Sequence, residues 1–167
     1  MSTIGNENFI IENLSMMLGA GLSVPASFES ILKGLKNKEL IKNRGHLFDN
    51  VPIIIENKFE DLSKTKDILL VMKNIGLNME LERLKTRKVR PGKGKNRGRK
   101  YRIKKGPLIV LSNKCKLEKA ASNLQGIDII NIKNLNAELL APGTNAGRLV
   151  IWTQNSIERL AKENLFL

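Results

Sequence analysis

Apolar residues along this chain fall into two rhythms. From Phe9 to Leu35 they recur at helical spacing: Ile10, Leu14, Met17 and Leu18, then, after Gly-Leu-Ser-Val-Pro, Phe28, Ile31, Leu32 and Leu35. Positions three and four apart share one helix face, so this stretch predicts two short helices, an N-terminal helical hairpin over residues 1–36. Ser23 is placed to cap the second helix, Pro25 suits its first turn, and Glu29 favours its positive end.

Beyond residue 36 the rhythm changes. Lys36 to His46 is polar and leads into Val51, Ile53, Ile54 and Ile55, a β-branched run that predicts a strand buried on both faces. Leu62, Ile68, Leu69, Met72 and Ile75 then form one helical stripe, with Gly76 at its stop. After Pro107 the alternation continues. Leu-Ile-Val-Leu-Ser predicts a strand, and Lys-Leu-Glu-Lys-Ala-Ala-Ser-Asn-Leu a helix ended by Gln125-Gly126. Ile-Asp-Ile-Ile-Asn-Ile predicts a third strand, and Asn-Leu-Asn-Ala-Glu-Leu-Leu-Ala a short helix. Ala-Pro-Gly-Thr-Asn-Ala-Gly is a loop, and Arg148 to Thr153 a fourth strand. A closing helix runs from Gln154 to Leu165, with Ile157, Leu160, Ala161 and Leu165 on one side. Strands alternating with helices imply parallel crossovers and a sheet covered on both faces, hence an α/β fold over residues 37–167 with a mostly parallel four-stranded sheet.

Charge changes this picture at one place. Arg83 to Lys105 holds 13 Lys or Arg in 23 residues and no acid; the chain has 29 basic and 16 acidic residues, so the rest balances at 16 against 16. The whole formal charge of +13 therefore resides in this segment. Pro91 and the glycines at 92, 94 and 98 rule out a continuous helix, so the run is expected as a bendable loop. Such a run suits a polyanion, since neutralised phosphates release condensed counterions. Arg adds a flat guanidinium, and Tyr101, between Lys100 and Arg102, adds an aromatic face. With so many like charges, the loop is expected to fold fully only on its anionic partner. A solvated charge run, a nuclear-targeting signal or a disordered tail is the plainer alternative, but the position between two folded stretches argues against all three.

Other chemistry is sparse. Gly-Lys-Gly-Lys-Asn-Arg-Gly follows no strand and opens no helix, and no Gly-Lys-Ser/Thr closes a phosphate loop. His46 is the only histidine and Cys115 the only cysteine, too few for a zinc site and without spacing for a nucleophile and base. A single cysteine also excludes an internal disulfide and fits a reducing setting. Glu138 is expected to pair with a cation or cap a loop. The longest charge-free N-terminal stretch, Asn13 to Ser27, falls short of a spanning helix, and no Lys or Arg precedes Lys33. Neither a membrane span nor a secretory leader is expected, nor any enzyme activity, cofactor, metal or small-molecule substrate.

Three stretches carry a family resemblance: Asn-Lys-Glu-Leu-Ile-Lys-Asn-Arg-Gly-His through Glu56-Asn57, Gly-Lys-Gly-Lys-Asn-Arg-Gly-Arg-Lys-Tyr-Arg followed by Gly-Pro-Leu-Ile-Val, and Leu-Asn-Ala-Glu-Leu-Leu-Ala-Pro-Gly-Thr followed by Gly-Arg-Leu-Val-Ile-Trp-Thr. From Asn37 to Leu160 the chain resembles ribosomal large-subunit protein L four in its archaeal and eukaryotic form. The resemblance implies a Rossmann-like three-layer domain on the outside of the large subunit, cytoplasmic and without catalysis. Its implied partners are large-subunit rRNA, whose assembly it supports, and other large-subunit proteins. Carried over, Lys93, Lys95, Arg97, Arg99, Lys100, Tyr101 and Arg102 fall in the RNA-contacting stretch, and Arg44, Gly45 and His46 match an Arg-Gly-His turn. With Arg83, Lys85, Arg87, Lys88, Arg90, Lys104 and Lys105 of the same run, these residues, Gly45 apart, are the expected RNA-binding set. Asn145 and Ala146 stand where the family commonly has His-Pro. Residues 1–36 match neither the family's first strand nor its extended tunnel loop, so no tunnel-lining role is expected. The alternative is a truncated or chimeric non-ribosomal interaction module, using the hairpin and the basic loop for anionic partners such as lipid.

Overall fold

The computed structural model describes residues 37–48 and 50–163. The hairpin expected from Phe9 to Leu35, and Leu165 at the end of the last expected helix, lie outside the described residues.

Four short strands form one parallel sheet: β1 (Ile53–Ile55), β4 (Leu108–Leu111), β5 (Asp128–Asn131) and β6 (Val150–Thr153), in the order β1-β6-β4-β5. β6, the last described strand in sequence, is inserted between β1 and β4. All four residues of β4 and of β6 are buried, as expected for apolar runs covered on both faces. β1 differs from its expectation. Among the described residues it lies at a sheet edge and buries only Ile53 fully, with β6 on one side and no described strand on the other.

The pleat divides the apolar residues between two cores. Ile109, Leu111 and Ile151 face Ile68 and Met72 of α2 (Thr65–Asn74), Leu81 and Leu84 of α3 (Asn78–Lys85), and Leu117 and Ala121 of α4 (Lys116–Ala121). Leu108, Val110, Val150 and Trp152 face Ile132, Leu140 of α5 (Ala137–Leu140) and Ile157 of α6 (Gln154–Lys162). Helices thus cover both faces of an all-parallel sheet, a three-layer α/β sandwich. Each fully buried Leu or Ile contributes roughly 1.5–3 kcal/mol relative to exposure.

Two helices lie where no helix was expected. α1 (Lys38–Asn43) starts at Asn37, whose side chain accepts from the Glu39 and Leu40 amides, and buries one apolar residue, Ile41. α3 follows α2 after a turn in which Gly76 has φ of +100°. The acidic and basic residues of Asn-Met-Glu-Leu-Glu-Arg-Leu-Lys obscure the Leu77, Leu81, Leu84 stripe that seats it.

The basic run is the larger correction. It is no irregular loop: β2 (Arg87–Val89) and β3 (Tyr101–Ile103) pair antiparallel into a ribbon, and a 3-10 turn at Lys93–Lys95 lies in the connection. All six strand residues are exposed. The ribbon leaves α3 and returns to the amino-terminal end of β4.

Candidate nucleic-acid interface

Why the ribbon stands where it does follows from the groups at its root. Glu80, on α3, has no exposed surface and lies between two partners. His46 Nδ1–H donates to Glu80 Oε1 at 2.7 Å, and Arg83 Nε donates to Oε2 at 2.8 Å. Burial alone would push this carboxyl up, but the His46 and Arg83 hydrogen bonds and charges outweigh it and hold its pKa at about 2. Arg83 Nη2 also donates to the Lys105 carbonyl at 2.9 Å, fastening the last turn of α3 to the returning strand. Gln125 adds a second tie, donating to the Leu84 carbonyl at 2.9 Å and accepting from Arg87 Nη2 at 3.1 Å.

The exit of the ribbon is fixed by another charged group. Lys105 Nζ donates to Asp128 Oδ2 at 2.9 Å, and the same oxygen accepts from Arg148 Nη2 at 2.6 Å. Arg148 is fully buried, yet its guanidinium is satisfied, with Nε on the Gly106 carbonyl at 3.0 Å and Nη1 on the Leu139 carbonyl at 2.8 Å. Burial opposes ionisation of Asp128, and the Lys105 and Arg148 hydrogen bonds and charges override it, leaving its pKa below the ordinary value. Backbone contact is equally close: the Gly106 amide donates to the Gly126 carbonyl at 2.7 Å. A Cβ at Gly106 would lie 2.6 Å from Leu84 Cδ1 and 2.7 Å from that carbonyl, so only glycine fits.

The expected site residues therefore divide. Lys85, Arg87, Lys88, Arg90, Lys93, Lys95, Arg97, Arg99, Lys100, Tyr101, Arg102, Lys104 and Lys105 are all exposed on or beside the ribbon. Of the thirteen cations, Arg83 pairs with Glu80 and Lys105 with Asp128; the other eleven have no carboxylate partner among the described residues. Lys100 Nζ stands 5.5 Å from the centroid of the Tyr101 ring, within cation–π range. Arg44, His46 and Arg83 are instead drawn into the fold. His46 is 1% exposed and hydrogen-bonded to Glu80, so no phosphate reaches its ring. Arg44 donates to the carbonyls of Asn145 and Pro142, holding the Ala-Pro-Gly-Thr-Asn-Ala-Gly loop against α1. That contact is to backbone, so it does not depend on the side chain at Asn145.

The internal charged groups centred on Glu80, Asp128 and Arg148 were not expected from sequence: Glu80 and Arg83 are three apart on one helix, but their other charged partners lie 20 to 37 residues away, a separation that carries no spacing signal. The opposite, carboxyl-terminal edge of the sheet is where nucleotides bind in folds of this class. Here Glu60 fills it between β4 and β6, accepting from the Ser112 amide at 3.1 Å, Ser112 Oγ at 2.7 Å and Thr153 Oγ1 at 2.6 Å. Cys115 precedes α4, half-buried against the core, and burial pushes its thiol pKa up, which disfavours the reactive thiolate. Glu138 is exposed in the first turn of α5.

The Ribosomal protein L4/L1 family matches residues 26–163. The match begins ahead of residue 37, so residues 26–36, expected to be unlike the family, fall within it. Large ribosomal subunit protein uL4 of Methanocaldococcus jannaschii is 44% identical over 137 residues, 80% of this chain and 54% of the relative. The protein of the same name from Archaeoglobus fulgidus is 41% identical over 138 residues, 81% of this chain and 55% of the relative. That of Nanoarchaeum equitans is 45% identical over 142 residues, 84% and 53% of the two chains. The chain spans about half the length of the curated relatives it matches.

Proposed function

This chain belongs to the Ribosomal protein L4/L1 family, and from that premise we propose that it is a structural, non-catalytic component of the large ribosomal subunit that binds large-subunit rRNA through the basic ribbon. The reading rests on one observation above all: eleven cations without carboxylate partners among the described residues stand on or beside a ribbon whose two ends are bound to a rigid α/β body. The relatives are named for a large ribosomal subunit, which supports reading that subunit as this chain's assembly, other large-subunit proteins as its neighbours and the cytoplasm as its location. Phosphate contacts made by such a ribbon position the protein, and specificity comes from RNA shape and exposed bases. The RNA-binding set narrows to Lys85, Arg87, Lys88, Arg90, Lys93, Lys95, Arg97, Arg99, Lys100, Tyr101, Arg102 and Lys104, with Lys105 shared with Asp128. Arg44, His46 and Arg83 serve to hold the ribbon and the neighbouring loop in place.

Salt dependence of RNA binding is the test. Each lost phosphate contact removes roughly 0.7 to 0.9 from the slope of log affinity against log salt. Replacing Arg97, Arg99 and Arg102 with Gln lowers affinity at low salt and flattens that slope by about 2. An unchanged slope would overturn the assignment.

A further inference from the structure

Successive side chains on a ribbon point to opposite faces, and residues paired across the ladder share one. The register pairs Arg87 with Ile103, Lys88 with Arg102 and Val89 with Tyr101. One face therefore carries Val89, Tyr101 and Ile103 with Arg87 at its end. The other carries Lys88 and Arg102. One step further, the Arg90 amide donates to the Lys100 carbonyl at 2.9 Å, which extends the cationic side toward the turn.

Val89, Tyr101 and Ile103 are 48%, 46% and 48% exposed and belong to neither core, so no apolar group of the described fold covers them. They are three of the seven large apolar side chains exposed among the described residues, gathered on one face of a short ribbon. Such a strip favours cover by an apolar or aromatic partner. Charge decides which kind. Arg87 shares the face, Lys100 stands over the Tyr101 ring, and cations with no carboxylate partner among the described residues continue toward the turn. A protein partner would need an apolar patch ringed by carboxylates; an RNA strand brings a flat base and a phosphate in every nucleotide.

We infer that the face formed by Val89, Tyr101 and Ile103 receives unpaired bases of an RNA strand, while Lys88 and Arg102 on the opposite face hold phosphates. The ribbon then sits within RNA, in contact on both sides, and prefers RNA with unpaired nucleotides to a continuous duplex, whose base faces are already stacked. This rests on the RNA-binding reading above.

The test compares binding of the full chain to single-stranded oligouridylate and to the same strand annealed to oligoadenylate. The native chain binds the single strand more tightly. Tyr101→Ala lowers that affinity about tenfold, leaves the duplex and the salt slope unchanged, and is rescued by Tyr101→Phe; adding Val89→Ser and Ile103→Ser deepens the loss. Lys88→Gln with Arg102→Gln weakens both RNAs and flattens the slope. Equal affinity of the native chain for the two RNAs, or a Tyr101→Ala chain that binds the single strand as the native one does, overturns the inference while leaving phosphate binding intact. Failure of the native chain to bind either RNA in a salt-dependent way is a different result and removes the RNA-binding reading as well. The three apolar residues lie outside both cores, so an unchanged melting temperature is expected and identifies a loss as one of contact.

Discussion

Glu80 is a fully buried carboxylate that remains ionised because His46 and Arg83 both donate to it. Its pKa is lower in the folded chain, about 2, than its ordinary value of 4.5, so the folded state binds this proton less readily. The resulting stabilisation is complete above the ordinary value and drains away as pH falls from about 4.5 to about 2. Urea titrations across that range should show stability declining with acid, and Glu80→Gln should both lower stability at neutral pH by roughly 3 kcal/mol and reduce the acid dependence. An acid limb unchanged by the substitution would assign it to other carboxylates. Arg148 is the counterpart on the other side of the ribbon's root. Arg148→Met leaves the Gly106 and Leu139 carbonyls without their donor and Asp128 with Lys105 alone, and should cost about 3–5 kcal/mol in the same measurement.

At the level of elements, the ribbon gains its orientation from close backbone approach at its root. Gly126 has φ of +77°, and a Cβ there would come within 2.8 Å of the Lys104 carbonyl. Gly106→Ala or Gly126→Ala should therefore destabilise by roughly 1–3 kcal/mol and separate the strands' base. Hydrogen exchange at the Gly106 amide, which donates to Gly126, should accelerate; unaltered protection would mean that the root tolerates the added methyl group. Legibility from sequence was uneven for physical reasons. β4 and β6 are uninterrupted apolar runs and α2 and α6 carry clean stripes, and these patterns suffice. The ribbon was visible as charge but not as structure: Lys100 to Lys104 alternates cation with Tyr101 and Ile103, a period of two, yet the nearby glycines read as a loop. α1 buries only Ile41, too little for a periodic signal, and its Asn37 cap is the one local cue. At the site, the exposed cations were legible because charge density needs no folding to be seen. The internal roles of Arg44, His46 and Arg83 were not, because Glu80 and the Pro142 and Asn145 carbonyls meet them only after the chain has packed.

Across the whole molecule, charge and architecture divide the same way. The residues outside the basic run balance at 16 cations and 16 acids, and they build the sandwich and the residues flanking it; the run supplies the net +13 and projects from the sheet's amino-terminal edge. At the carboxyl-terminal edge Glu60 fills the usual ligand position of a parallel α/β sheet between β4 and β6. On the proposed reading, the body gives rigidity and the cationic ribbon gives adhesion to RNA. The most direct test is sedimentation of cell extracts through sucrose gradients at low and moderate salt, tracing the native chain and one in which Arg97, Arg99 and Arg102 are Gln. The account predicts that the native chain travels with the large ribosomal subunit at both salt concentrations and that the substituted chain shifts to light fractions as salt rises. A native chain found only in light fractions, or a substituted chain retained on the subunit as firmly as the native one, would contradict it.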